Sequence, residues 1–266
     1  NFCLRGEESN KDEELVRKLA EKYKVKVHVA HFDTKKESQE KNISIQMAAR
    51  DLRYAWFESL CEQNKYTQIA TAHHQNDVIE TVLFNLSKGT GIAGLHGIQA
   101  KSGKLIRPLL FASKSEIEAY ATKKRLEWRS DASNSNNKYS RNLIRNEVVP
   151  LLKKINPNLE RTFEQNVEKL AAVEAIFNEQ IELFIQKNCS QKRDTFSLAI
   201  PVLENTKAPL LYLFEWIKNY NFNYSQAKEI IKSLENQSGK VFYSTDYQLV
   251  RERSELVVLP LKKNTF

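Results

Sequence analysis

The sequence has few of the residues that mark disulfide-rich, metal-binding or membrane proteins. Its three cysteines, Cys3, Cys61 and Cys189, lie far apart and never in the CxxC or Cys/His spacing typical of zinc, iron–sulfur or disulfide sites. No apolar run approaches the roughly 18 residues that a membrane-spanning helix needs. No signal peptide opens the chain. These absences predict a cytoplasmic protein with no membrane partner, no zinc and no iron–sulfur cluster.

The composition indicates a folded protein with a surplus of positive charge. Hydrophobic residues make up 41% of the 266 residues, which is enough for one large domain, alone or with a smaller one. The formal net charge of +8 favours a polyanionic partner, because Lys and Arg that neutralise phosphates release counterions. Solubility alone explains the charge equally well. The chain begins at Asn1 in a polar stretch, so we expect it to be a segment of a longer protein.

Strand and helix patterns alternate along the first ninety residues with no hairpin signal between them. The predicted order is a helix from a capping box at Ser9–Asp12 to about Tyr23, a strand over 25–29, a helix over 45–60, a strand over 69–72 and a helix over 76–86. This order predicts an α/β fold whose parallel sheet is covered by helices on both faces. Such sheets bind ligands beyond the carboxyl ends of their strands.

The remainder of the chain predicts a connecting helix and a second, smaller module. A capping box at Ser113–Glu116 opens one helix, and a polar loop over 131–139 leads to an amphipathic helix ended by Pro150. Pro157 suits the first turn of a long helix with one apolar stripe. The helices and alternating segments that follow predict a small α+β domain. The predicted divisions are residues 1–154, 155–190 and 191–266.

Two carboxylates follow the strand that ends near Ala72. On a helical wheel Asp77, Glu80 and Thr81 share one narrow arc, opposite the apolar positions Ile79, Val82, Leu83 and Leu86. Carboxylates placed together in a crevice can hold a divalent cation against phosphate oxygens or bind a substrate ammonium. The alternative is that acids in a first turn only complement the helix dipole, worth about 0.3–1 kcal/mol.

A glycine-rich loop and several arginines complete the candidate groups. Residues 89–94 match GxGxxG, and Gly97 adds a fourth glycine, but the segment follows a helix, so it indicates a mobile loop and not a dinucleotide site. Arg50 and Arg53 lie on the helix facing the predicted crevice, and Arg141 and Arg145 lie four residues apart on a later helix. They are candidates for phosphate contacts on ATP or RNA, although a solvated helix surface explains any one of them alone.

These segments in this order resemble the tRNA(Ile)-lysidine synthetase family of the PP-loop ATP pyrophosphatase superfamily. The resemblance covers about the first 150 residues, and the long helix and small module also fit the family. The matching segments are LRGEES at 4–9, AARDLRY at 48–54, IATAHH at 69–74 with Asp77, Glu80 and Thr81, the loop 89–97, RPLL at 107–110, DASN at 131–134, and YSRN at 139–142 with Ile144 and Arg145.

The resemblance implies a two-step ligation on tRNA(Ile) with a CAU anticodon. ATP adenylates the C2 oxygen of the wobble cytidine and releases pyrophosphate, and the ε-amino group of free lysine then displaces AMP to form lysidine. The family implies Mg²⁺ to neutralise the leaving pyrophosphate, and homodimer formation is left open.

The resemblance also implies roles for individual residues of this chain. His73, Asp77, Glu80, Arg53 and Arg145 form the implied catalytic set. His73, Asp77 and Arg53 are the implied ATP-binding residues, Asp77 also binding Mg²⁺. Asp77 and Glu80 are the implied lysine ligands. The implied tRNA-binding residues are Arg50, Gly91, Gly94, Arg107, Arg141 and Arg145.

The chain departs from the family pattern, and two other functions stay open. The SGGxDS phosphate loop and the first strand of the family belong before Asn1, so we expect the chain as given to be inactive without them. Gln46 stands where Glu is commoner and receives no role. A related PP-loop tRNA thiolase is one alternative, although its usual paired cysteines are missing. A non-catalytic RNA-binding remnant of the fold is the other.

Overall fold

The computed structural model describes residues 1–129, 140–235 and 238–261, and the chain divides into two compact units. The first unit is Asn1–Leu170 and the second is Ala171–Phe266. The boundary between them falls inside one long helix, and the predicted divisions at 154/155 and 190/191 stay predictions. The polar loop expected over 131–139 lies outside the described residues.

The first unit is built largely from helices. Its helices are α1 (Glu7–Tyr23), α2 (Thr34–Glu40), α3 (Ile45–Asn64), α4 (Gln75–Lys88), α5 (Ile92–Leu95), α6 (Lys114–Lys123), α7 (Ser140–Leu143) and α8 (Val149–Ile155), and α9 (Leu159–Asn188) begins in this unit. Ile79 of α4 packs with Ile144, Val149 and Leu159 in a buried cluster. This cluster packs α4 against α8 and the start of α9, which come later in the same unit.

The sheet of the first unit is mixed, not entirely parallel as predicted. Its strands are β1 (Ile69–Ala70), β2 (Lys101–Ser102) and β3 (Leu105–Ile106). β1 pairs with β3 in parallel, whereas β2 pairs with β3 antiparallel. The short β2–β3 connection is a hairpin in which Gly103 adopts a φ of 57°. Glycine in a short turn is a hairpin signal, because it adopts the left-handed conformation readily, and the sequence interpretation overlooked it here.

The predicted strand over 25–29 is wrong, because these residues have no regular secondary structure. The segment that contains them is bonded at its far end to the chain terminus: the Asn1 ammonium donates to the Ala30 carbonyl at 2.8 Å, and the Phe32 N–H donates to the Asn1 carbonyl at 2.9 Å. Alternating valines make a strand only where a neighbouring strand forms a ladder with them. Val25 is 60% exposed, so one valine of the pattern is not packed in a core.

A capping box marks the start of a helix only where the capping side chain accepts a hydrogen bond from a backbone N–H of the first turn. Ser113 caps α6 as predicted, since its Oγ accepts from the Glu116 N–H at 3.3 Å and Glu116 Oε2 accepts from the Ser113 N–H at 2.7 Å. The capping box predicted at Ser9 is wrong. Gly6 is the residue before α1, and Ser9 lies inside the first turn.

The helix predicted to end at Pro150 continues through it. A π-helical turn spans Ile144–Val148, and Pro150 stands in the first turn of α8, where a missing N–H costs little. Just before the proline, the Val149 N–H donates to the Ile144 carbonyl in the wider register of the π turn. Such single turns of π-helix occur frequently at functional sites.

The second unit packs helices against an antiparallel sheet, as the predicted α+β module requires. Its elements after α9 are β4 (Cys189–Lys192), β5 (Thr195–Ala199), α10 (Ile200–Glu204), α11 (Pro209–Ile217), α12 (Tyr224–Ser233), β6 (Val241–Tyr243), β7 (Tyr247–Arg251) and β8 (Glu255–Pro260). The strand order is β4-β5-β8-β7-β6. Trp216, Leu213 and Ile230 are buried in its core against Leu249 and Val258.

Candidate active site

A cleft of about 960 Å³ opens in the first unit where β1 and β3 end. β1 and β3 are parallel, with Ala70 paired to Ile106, so the residues that follow both strands leave the sheet at the same edge. His73 follows β1 and Arg107 follows β3, and both line the cleft. This is the position at which α/β sheets bind ligands.

Helix α4 brings its two acids to this cleft, but it does not expose them equally. Asp77 and Glu80 both line the cleft, and their side chains are 21% and 5% exposed. Asp77 Oδ2 accepts from the His74 N–H at 2.9 Å, which secures the first turn of α4. The apolar face also differs from the prediction at one position, because Val78 is buried while Leu86 is 61% exposed.

Glu80 is covered by the guanidinium of Arg145. Arg145 Nε and Nη2 donate to the two carboxylate oxygens of Glu80, each at 2.7 Å, and Nη2 lies 3.6 Å from Asp77 Oδ1. A buried carboxylate needs such a partner, because an unpaired charge in a low dielectric is costly. The π-helical turn described above carries Arg145 to this position. The fork-on-fork geometry is the strongest form of arginine–carboxylate pairing.

The cleft carries an excess of positive charge. Among the residues that the structure describes, five arginines and two carboxylates line it, three positive charges in excess; the arginines are Arg50, Arg53, Arg107, Arg141 and Arg145. Three of these guanidinium groups lie over aromatic rings, which orients them: Arg50 over Tyr54 at 4.8 Å, Arg53 over Phe2 at 5.1 Å and Arg141 over Phe84 at 5.7 Å from the ring centroid. The arrangement favours a phosphate-rich ligand.

The pKa of His73 lies below its usual value. Burial is the main cause, and the neighbouring arginines 107, 50 and 141 lower it further, against the opposing effect of Asp77. The His73 Nδ1 shares a hydrogen bond of 2.9 Å with the Thr71 hydroxyl. The lowered pKa of His73 favours the neutral imidazole, which can donate or accept a hydrogen bond without adding charge.

The glycine-rich loop reaches the cleft through its end and not through its middle. Gly97 lines the cleft, whereas Gly91 and Gly94 do not. Gly97 has a φ of 66°, and a Cβ there would lie 2.9 Å from Val82 and 3.0 Å from Val78 on α4. Only glycine allows this close approach. The tRNA-binding roles assigned to Gly91 and Gly94 stay predictions, as do the roles of the other assigned residues.

The structure adds cleft residues to which the sequence interpretation gave no role. Phe84, which lies under Arg141, and Thr81 belong to the same face of α4 as the acids, so their helical spacing was a usable signal. His96 gave no such signal, because it reaches the cleft only through tertiary packing, and Phe2 is not a lining residue but lies under Arg53. His96 lines the cleft with 8% exposure.

Two kinds of feature are not found among the described residues. Within ranges 1–129, 140–235 and 238–261, no group of three or more His, Cys, Asp or Glu side chains is placed to hold a metal ion. Among the helices of those ranges, none combines the length and apolar character needed to cross a bilayer.

Comparison with known families defines the class of this protein. The PP-loop domain family matches residues 1–152, which include every residue of the cleft, so the chain belongs to the PP-loop family. A second family, described as the TilS substrate binding domain, matches residues 191–261 in the second unit.

The curated relatives narrow the class further. A tRNA(Ile)-lysidine synthase of Porphyromonas gingivalis is 40% identical over 262 residues, covering 98% of this chain and 57% of the relative. The enzyme of the same name from Bacteroides thetaiotaomicron is 40% identical over 97% of this chain and 60% of the relative. That of Clostridium acetobutylicum is 33% identical over 90% of this chain and 54% of its own length. The chain therefore spans somewhat more than half the length of these relatives.

Proposed function

We propose that the protein containing this chain is a tRNA(Ile)-lysidine synthase. In this reaction ATP adenylates the C2 oxygen of the wobble cytidine of tRNA(Ile) and releases pyrophosphate; the ε-ammonium of lysine then loses a proton, and the free amine attacks C2 and displaces AMP. The similarity to the named relatives along nearly the whole chain supports the proposal. The observation that carries it is the cleft itself, which combines an acid pair with an arginine excess at the ends of parallel strands.

The carboxylates and the arginines of the cleft suit different substrates of this reaction. Lysine presents a primary ammonium, for which Asp77 and Glu80 are the proposed ligands. ATP, pyrophosphate and the RNA backbone present phosphate oxygens, for which arginine is the suited partner. Arg53, Arg145 and neutral His73 are the proposed catalytic groups on the ATP side, where cations stabilise the cytidine oxygen as it bonds to phosphorus.

A single carboxylate is consistent with the Mg²⁺ that the family implies. Mg²⁺ is commonly bound through one or two carboxylates and substrate phosphates, with water completing its shell. Asp77 is the proposed protein ligand, since it faces the cleft and Glu80 is covered by Arg145. The metal would neutralise the leaving pyrophosphate.

The tRNA contacts are proposed for the outer residues of the cleft and for the loop beside it. Arg50 and Arg141 are exposed, and the aromatic rings beneath them hold the guanidinium groups in place. Arg107 is anchored differently, because its Nη1 donates to the Gln99 carbonyl at 2.5 Å. With Arg145, Gly91 and Gly94, these residues make up the proposed RNA-binding set.

A tRNA thiolase is a weaker candidate. Its chemistry commonly uses paired cysteines, whereas Cys61 is buried on α3 and Cys189 belongs to the second unit. The exposed Cys3 is the remaining thiol. None of the three lines the cleft.

Incorporation of labelled L-lysine into tRNA(Ile) by the full-length protein tests the proposal. We expect incorporation that requires ATP and releases AMP and pyrophosphate in equal amounts. Transfer of sulfur in place of lysine would favour the thiolase. Binding of tRNA with neither reaction would favour a non-catalytic RNA-binding protein.

A further inference from the structure

The hydroxyl of Thr81 is an unexplained polar group beside the acid pair. Its Oγ1 is fully covered and has no hydrogen-bond partner among the residues that the structure describes. A threonine inside a helix usually bonds to the carbonyl four residues before it, but Thr81 does not. Buried polar atoms without a partner are rare in folded proteins, so this one calls for an explanation.

Thr81 stands where it completes a set of three acceptors. Asp77 lies three residues before Glu80 and four before Thr81, so both of these side chains neighbour that of Asp77 on α4, and all three line the cleft. Two carboxylates and one hydroxyl give three acceptor groups. A primary ammonium has three N–H donors arranged as a tripod.

The Arg145 guanidinium, which is bound at the acid pair, does not donate to all three of these acceptors. The Arg145 guanidinium donates in its own plane to both oxygens of Glu80 and approaches Asp77, but the Thr81 hydroxyl has no partner within the described part of the chain. A planar fork suits a carboxylate, whereas a tripod of donors suits three separate acceptors. The acceptor set is therefore matched to an ammonium better than to a guanidinium.

We propose that Thr81 is a third ligand of the side-chain ammonium of the substrate lysine. On this proposal it makes the site selective for a primary amine over a guanidinium. On this assignment Arg145 covers the site before lysine arrives. The guanidinium leaves at least one Glu80 oxygen when the ammonium binds, and the same movement frees its donors for a phosphate. The inference rests on the proposed function, because it specifies how the lysine of that reaction is held.

The test compares Thr81→Val and Thr81→Ser in the full-length protein, with L-lysine as substrate and L-arginine as competitor. Valine keeps the shape of threonine and removes the hydroxyl, whereas serine retains the hydroxyl. We expect Thr81→Val to raise the KM for lysine about tenfold or more, the loss expected for a hydrogen bond to a charged donor. Thr81→Ser should stay near the wild-type KM.

Two further measurements separate ligand binding from a structural effect. The inhibition constant of arginine should be unchanged in Thr81→Val, because a guanidinium does not use the hydroxyl, and the rate of tRNA adenylation without lysine should also be unchanged. Thr122→Val is the matched control, since its hydroxyl bonds to the Glu118 carbonyl on exposed α6. It should leave every constant as in the wild type.

A wild-type KM for lysine in Thr81→Val would overturn the proposal. So would a parallel loss of lysine use, arginine inhibition and adenylation, since that pattern means damage to the whole cleft. Failure of the proposed function is distinguishable, because the wild-type protein would then incorporate no lysine at all.

Discussion

At the scale of single residues, the bidentate pair between Arg145 and Glu80 is the central contact of the site. Glu80 has 5% of its side chain exposed, so its carboxylate meets Arg145 largely away from water. Removing one partner of such a pair leaves a desolvated charge, which costs more than an exposed ion pair contributes. The contact therefore serves folding as well as the proposed chemistry.

Arg145→Ala should lower the free energy of unfolding by about 2 kcal/mol, below the full value for a completely buried pair because Arg145 is itself 31% exposed. Urea unfolding measures the change. Lys114→Ala is the control, because its pair with Glu118 is long and exposed, and a loss within about 0.5 kcal/mol is expected there. Equal losses in the two variants would contradict the role given to Arg145.

His73 predicts a pH dependence of stability. Its pKa in the folded protein is lowered, mainly by burial, so below pH 6.5 the unfolded state binds a proton that the folded state does not. The contribution of His73 to the free energy of unfolding is fully present above the pKa of the unfolded state. It is lost as the pH falls from about 6.5 toward the pKa of the folded state.

Urea midpoints measured between pH 7.5 and 5 should therefore fall more steeply in the wild type than in His73→Gln. Glutamine keeps a polar side chain and does not titrate. Identical slopes in the two proteins would show that the folded His73 titrates like a free histidine.

At the scale of elements, the contact between the glycine-rich loop and α4 depends on the absence of a side chain at Gly97. A Cβ would meet both Val82 and Val78 while the backbone holds a positive φ. Gly97→Ala should cost about 1–3 kcal/mol of stability, the usual range for overpacking. Thermal unfolding and the KM for lysine measure its effect on the fold and the cleft.

Gly91→Ala is the matched control for this prediction. Gly91 lies in the same loop, no atom lies within 4 Å of a Cβ built there, and its φ of −81° is ordinary. It should unfold like the wild type. A larger loss at Gly91 than at Gly97 would contradict the packing described here.

The elements also show how far sequence reasoning extends. Helices α3, α4 and α6 were predicted because periodicity and capping are local signals, and the acid pair followed from the same helical spacing. The strand over 25–29 was wrong because strand formation requires partners that periodicity does not reveal. The bond between Arg145 and Glu80 joins residues 65 apart in the sequence, so only the fold could show it.

At the scale of the whole molecule, the proposed function depends on bringing opposite charges into one cleft on a basic protein. The net charge of +8 suits RNA in general, whereas Asp77 and Glu80 are acids within an arginine-rich surface. A protein that only bound RNA would have no evident need for carboxylates there. The acid pair is thus the feature that favours the proposed ligation over RNA binding alone.

The most direct test of this account is to measure tRNA binding and lysine incorporation together in full-length Asp77→Asn. The amide keeps the size of the side chain and removes the charge that would hold the ammonium and Mg²⁺. The account predicts tRNA affinity close to that of the wild type and no detectable lysine incorporation. Loss of both activities to the same extent would show that Asp77 is structural, and retained incorporation would show that the acid pair does not bind the substrate.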